Sequence, residues 1–147
     1  MGSTACPITP KAEFDRQLKL LQSVTTIAVV GMSPDTNRPS YEVGMYLRQA
    51  GYTIVPVHPK ATAIEDLTVY PTLEAAFKAV PTIDLVDLFV AGERTPAIVE
   101  QACRLGLKNV WFQPGAEHEP TEEWARDKGM IVVTGACTMA VLARARS

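Results

Sequence analysis

The 147-residue sequence predicts an α/β fold, a doubly wound and mainly parallel five-stranded sheet with helices on both faces. Strand-like and helix-like segments alternate five times, a pattern that implies parallel strands joined by right-handed crossovers. The first strand candidate, Ile27–Val30, is an unbroken apolar run, as expected of a strand covered on both sides. Glycines and prolines fall between the periodic segments and punctuate their ends. The whole chain therefore reads as one Rossmann-like domain, residues 1–147, with about the first ten residues expected to form a flexible tail carrying Cys6.

Each element has its own signal. Pro10–Gln22 reads as a helix with Phe14, Leu18 and Leu21 on one face. After the Ile27–Val30 strand, Ser40–Ala50 is helical, with Ser40 as a good N-cap and Gly51 at the stop. Thr53–Val57 is the second strand, and Val69–Tyr70 a short extended piece. Thr72 then N-caps a helix in which Leu73, Ala76, Phe77 and Val80 align. Asp84–Val90 is the third main strand. Thr95-Pro96 reads as an N-cap followed by proline at the first helical position, and Gly106 ends that helix. Asn109–Gln113 is a strand, Pro120–Lys128 a helix, Ile131–Thr134 a strand and Thr138–Arg146 the last helix.

Composition narrows the function. A formal net charge of −2 with no basic block gives no footprint for nucleic acid. The apolar runs are far shorter than the ~20 residues of a membrane-spanning helix, and no secretory leader is expected at the N-terminus. Three widely spaced cysteines form no metal-binding pair, and their odd count suits a reducing cytoplasm. No nucleophile elbow or triad is apparent. His118, in an acidic turn, reads as a solvent-exposed loop residue, and Trp111 and Phe112 read as core.

Ligands of doubly wound folds bind beyond the C-terminal strand ends. The loop after the first strand runs Gly31-Met32-Ser33, then on to Arg38 and Ser40 at the next helix start. Glycine permits close approach of an anion, a helix start attracts phosphate, and Arg38 offers a planar fork. The fingerprint GxGxxG is missing, since Ser33 stands where a second glycine would be. After the second strand, the basic residues His58 and Lys60 replace the acid that holds a ribose in NAD-binding folds. They suit a nucleotide with a ribose phosphate, which coenzyme A and NADP both carry.

These segments, in order, resemble the small CoA-binding domain proteins, similar to the N-terminal domain of the succinyl-CoA synthetase α-subunit. The matching stretches are Ile27–Ser33, Arg38–Tyr41, Ile54–Lys60, Tyr70–Leu73, Ile83–Phe89, Val110–Gly115 and Gly135–Met139. The resemblance implies coenzyme A or an acyl-CoA lying across the strand ends. Gly31, Ser33, Arg38 and Ser40 would meet the pyrophosphate. Val57, His58 and Pro59 would flank the adenosine, with Lys60 near its phosphates and Phe89 and Val90 alongside. His58 stands where the family often has Asn, and Val90–Arg94 departs from the polar residues usual after strand three. Gln113 either bonds ligand or simply ends its strand. Cys137 is the candidate reactive group. As a residue before a helix it would be a low-pKa thiol, or else it is a small residue packed beneath the loop. The expected function is a non-catalytic binding, carrier or sensor module, with room for a homo-oligomer or an acyl-CoA enzyme as partner. The alternative is an NADP- or thiol-dependent enzyme using the same cleft and Cys137.

Overall fold

The computed structural model describes residues 9–147. The expected tail and Cys6 lie mainly in residues 1–8, outside the described residues. Helix α1 (Lys11–Ser23) precedes strand β1 (Thr26–Val30), α2 (Pro39–Gln49) and β2 (Thr53–Val57). A small hairpin of β3 (Ala63–Ile64) and β4 (Leu67–Thr68) comes next, followed by α3 (Leu73–Ala79) and β5 (Leu85–Leu88). A 3-10 turn at Gly92–Arg94 leads into α4 (Thr95–Arg104), β6 (Asn109–Phe112), α5 (Glu119–Asp127), β7 (Ile131–Thr134) and α6 (Thr138–Arg146).

The five main strands form one sheet in the order β2-β1-β5-β6-β7, and every pairing is parallel. This is the doubly wound fold that the alternation predicts. From β1 the chain steps one way to β2 and then crosses to β5, so the order reverses between β1 and β5. Crevices for ligands open at such a reversal. Pro56 is tolerated in β2 because that strand is at the sheet's edge, where a missing N–H breaks no essential ladder.

Alternation along each strand splits the core into two layers. Ala28, Val30, Val86, Leu88, Val110 and Phe112 face α3, α4 and α5. Ile27, Val29, Leu85, Trp111 and Val133 face α1, α2 and α6. Both sides of β1 are buried along its whole length, as its apolar run implies. Each fully buried Val, Leu or Ile contributes roughly 1.5–3 kcal/mol.

Several local expectations need correcting. The α2 N-cap is Arg38, with Pro39 first and Ser40 second in the helix, because proline's fixed φ starts the helix one residue earlier. Thr95 is not an N-cap either. The preceding 3-10 turn makes it the first residue of α4, and its hydroxyl donates to the Gly92 carbonyl at 2.7 Å. Strand β5 stops at Leu88, which leaves Phe89 and Val90 in the loop beyond. Thr72 does cap α3, accepting from the Ala75 N–H at 3.1 Å.

Trp111 and Phe112 are core, both fully buried. The Trp111 indole N–H also donates to the Ala136 carbonyl at 2.8 Å and so anchors the loop before α6. Trp111→Phe leaves a void and an orphaned carbonyl. It is expected to lower unfolding stability by about 2–4 kcal/mol in urea titration. A loss below about 0.5 kcal/mol would show that the indole packing and bond do not hold this loop.

Candidate functional site

Gly31 closes the end of β1 under tight constraint. Its φ of 90° lies in the left-handed region, and its N–H donates to the Val57 carbonyl at 2.8 Å. A Cβ here would stand 2.5 Å from the Phe89 carbonyl oxygen. Only glycine lets the ends of β1, β2 and β5 meet in this way.

Two cavities open from this junction, both bordered by Gly31, His58, Phe89 and Val90. One, of about 420 Å³, lies over β2, α3 and α4 and is lined further by Val57, Pro59, Thr72, Arg94, Ile98 and Gln101. The other, of about 630 Å³, reaches along the sheet past Ser33, Arg38 and Ser40 to Gln113, Pro114 and Cys137. The fold thus gathers every expected ligand residue except Lys60 around one cleft. Lys60 lies outside both linings, in the exposed turn after His58.

The loop after β1 is held by its own hydrogen bonds. The Ser40 hydroxyl accepts from the Ser33 N–H at 3.0 Å, and the Ser33 hydroxyl accepts from the Asp35 N–H at 3.0 Å. Arg38, exposed at the start of α2, makes no ion pair among the described residues. His58 is also oriented. Its Nδ1 accepts from the N–H groups of Lys60 and Ala61 at 3.1 and 3.0 Å. In the neutral ring the proton therefore sits on Nε2, which has no acceptor among the described residues.

Gln113 ends its strand and is held by protein partners. It sits just past β6 and is 1% exposed. Its Nε2 donates to Asp87 Oδ1 at 2.7 Å and to Thr138 Oγ1 at 2.8 Å. Its Oε1 is buried with no donor among the described residues. Burial drives the Asp87 carboxyl up to about 7, against weaker lowering by the Gln113 and Thr138 hydrogen bonds. Sequence reasoning missed this trio, although an acid inside the apolar run Leu85–Leu88 was a visible signal. Arg94 was missed as well, because its loop matched the family poorly.

Cys137 lines the larger cavity as the N-cap of α6 and is half-buried. Of its two readings, the structure favours the small residue packed beneath the loop over the low-pKa thiol. Burial pushes the thiol up, outweighing hydrogen bonds from the Ala140 and Met139 N–H groups. His118 is no free loop residue. It N-caps α5, half-buried, with its Nδ1 2.6 Å from the Thr121 hydroxyl and its N–H donating to Glu122. No cluster of metal-ligating side chains occurs among the described residues, and none of their helices is long and apolar enough to cross a membrane.

A model of the CoA binding domain matches residues 25–143. The uncharacterized protein YneT of Bacillus subtilis is 29% identical over 119 residues, covering 81% of this chain and 86% of that protein. A solved hypothetical protein from Pyrococcus horikoshii is 31% identical over the full length of both chains, with a TM-score of 0.85. A Thermus thermophilus structure is 29% identical with a TM-score of 0.77, covering 88% of this chain and 97% of that one.

The buried Asp87 makes stability depend on pH. Its carboxyl titrates near 3.8 in the unfolded chain and near 7 in the fold. Its protonated form is therefore favoured by folding, and that stability, full at low pH, is lost as pH rises from about 4 to 7. Asp87→Asn, isosteric and uncharged, is expected to gain as much as about 4 kcal/mol at pH 8 and little at pH 3.5. Denaturant titrations at both pH values check this, and an equal effect at the two would refute it.

Proposed function

This chain belongs to the CoA binding domain family, and we propose that it binds coenzyme A or an acyl-CoA as a binding, carrier or sensor module without chemistry of its own. One observation carries the reading: two cavities share Gly31, His58, Phe89 and Val90 at the glycine turn where the strand order reverses. A ligand with an adenosine end, a pyrophosphate and a long arm has the same three-part form.

In this reading the Ser33–Ser40 loop and Arg38 hold the pyrophosphate against the start of α2. Val57, Pro59, Phe89, Val90 and Ile98 enclose the adenine. The Nε2–H of His58 and the guanidinium of Arg94 face the ribose and its phosphate, with Lys60 outside at the rim. The arm runs over Gln113 and Pro114 towards Cys137, along the lining of the larger cavity. The tight Gly31 turn supports the assignment, since a side chain there would crowd the junction that the ligand crosses.

The raised Cys137 thiol favours binding over the thiol-dependent alternative, because a protonated thiol is a poor nucleophile. NADP shares the ribose phosphate but lacks the amide-bearing arm, so the length of cleft from Arg38 to Cys137 favours coenzyme A.

Thermal shift with CoA, acetyl-CoA, NADP, NAD and ATP in parallel tests the proposal. CoA at 100-fold over its Kd should stabilise the protein by about 2.7 kcal/mol. Arg38→Ala should weaken CoA binding at least about tenfold, the worth of one charge-assisted hydrogen bond. A shift with NADP and none with CoA would overturn the assignment.

A further inference from the structure

Four polar side chains line the cavity of about 420 Å³: His58, Thr72, Arg94 and Gln101. Their acceptor atoms are engaged inside the protein. His58 Nδ1 accepts from Lys60 and Ala61, and the Thr72 hydroxyl accepts from the Ala75 N–H. Gln101 Oε1 accepts from the Glu74 N–H at 3.0 Å. Arg94 has donors alone. The free hydrogen-bonding side-chain groups of this wall are therefore chiefly donors. Gln101 is the most closely fixed of the four. The Glu74 N–H belongs to the first turn of α3, where the helix has no carbonyl to offer it. It holds the Gln101 oxygen towards α3. The Gln101 Nε2 is left with no acceptor among the described residues, and it is not sealed from solvent. Arg94, Ala97, Ile98 and Gln101 also form one stripe along α4: a cation, two apolar side chains, then an oriented amide.

We propose that Gln101 reads the base of the nucleotide, donating from Nε2 to N1 of adenine and rejecting an oxopurine. The proposal rests on the CoA reading above, which puts the ribose phosphate at Arg94 and the adenine against Ile98. The α4 stripe then carries the base from Arg94 towards Gln101, one turn beyond Ile98. Adenine N1 has a lone pair on its Watson–Crick edge and accepts an N–H. Hypoxanthine has the same outline but carries a hydrogen at N1, so donor faces donor. The carboxamide cannot turn over to suit it, because a flip would set Nε2 against the Glu74 N–H. Selection for adenine thus follows from an orientation that α3 imposes on a residue of α4. A site built to pair one polar edge rejects the analogue that leaves its groups unpaired.

Calorimetric titration of the full chain with CoA and with deamino-CoA, its hypoxanthine form, tests the assignment. The wild-type protein should bind CoA about tenfold tighter than deamino-CoA. Gln101→Leu should bring the two Kd values within about twofold of each other. Gln101→Glu separates base reading from mere packing. One carboxylate oxygen still accepts from the Glu74 N–H, and the other accepts from the N1–H of hypoxanthine. The added charge weakens both phosphate-bearing ligands, so the ratio is the readout, and it should invert in favour of deamino-CoA. Melting curves establish that each variant folds, and the wild-type comparison needs no variant. If CoA and deamino-CoA bind the wild-type protein equally, or if either folded variant keeps the adenine preference, the role of Gln101 is refuted and the CoA reading stands. If neither ligand binds, the CoA reading itself fails and takes the base reader with it.

Discussion

The crossing of three strand ends at Gly31 is the constraint on which the rest of the site depends. One backbone N–H ties the end of β1 to Val57 of β2, and the missing side chain lets the Phe89 carbonyl after β5 close in from the other side. The sheet reverses its order at this point, so the loops on either side diverge and leave a crevice. Both chambers of the cleft meet here. A larger residue would have to push the β5 loop away, and the two chambers would no longer share a wall.

From this junction the two faces of the sheet take different roles. On the α3, α4 and α5 side the cavity floor is made of apolar strand ends and helix side chains, with Arg94 and His58 at the opening. On the α1, α2 and α6 side the sheet carries a buried polar trio instead. Asp87 of β5, Gln113 after β6 and Thr138 of α6 bond to one another, and Trp111 of β6 bonds to the loop just before α6. These bonds fix where α6 starts and therefore where Cys137 stands. They do so at a cost, since Asp87 is removed from water with no ion-pair partner among the described residues and its carboxyl favours the proton. Buried polar groups of this kind orient a neighbour more than they stabilise a fold, and here the oriented neighbour is the Gln113 carboxamide.

The small hairpin of β3 and β4 shows how a segment can lack any local signature. Its turn carries Glu65 at a φ of 55°, a position where glycine or asparagine would have announced a turn. The segment is held from outside instead. Arg48 of α2 pairs with Asp66 at 2.7 Å, and the Tyr41 hydroxyl bonds to Glu65. Tyr70 then rejoins the edge of the sheet beside Val57, as the short extended piece at Val69–Tyr70 suggests.

Local chemistry in the chain was enough to determine the alternation of elements, the double burial of β1, the glycine turn at Gly31 and the basic character after β2. Those features repeat at short range, through periodicity, glycine and proline. What only the tertiary structure decided lies between residues far apart in sequence. Strand order placed Gly31, Phe89 and Val57 in contact and left Lys60 outside the cleft. The packing of β5, β6 and α6 buried Asp87 against Gln113, and burial raised the Cys137 thiol, deciding between the two readings its place before a helix left open. The α1–α6 pairing put Gln17 and Cys137 on the lining of one small cavity. Burial and desolvation depend on which segments close over a group, and the identity of the group's own neighbours in sequence does not contain that information.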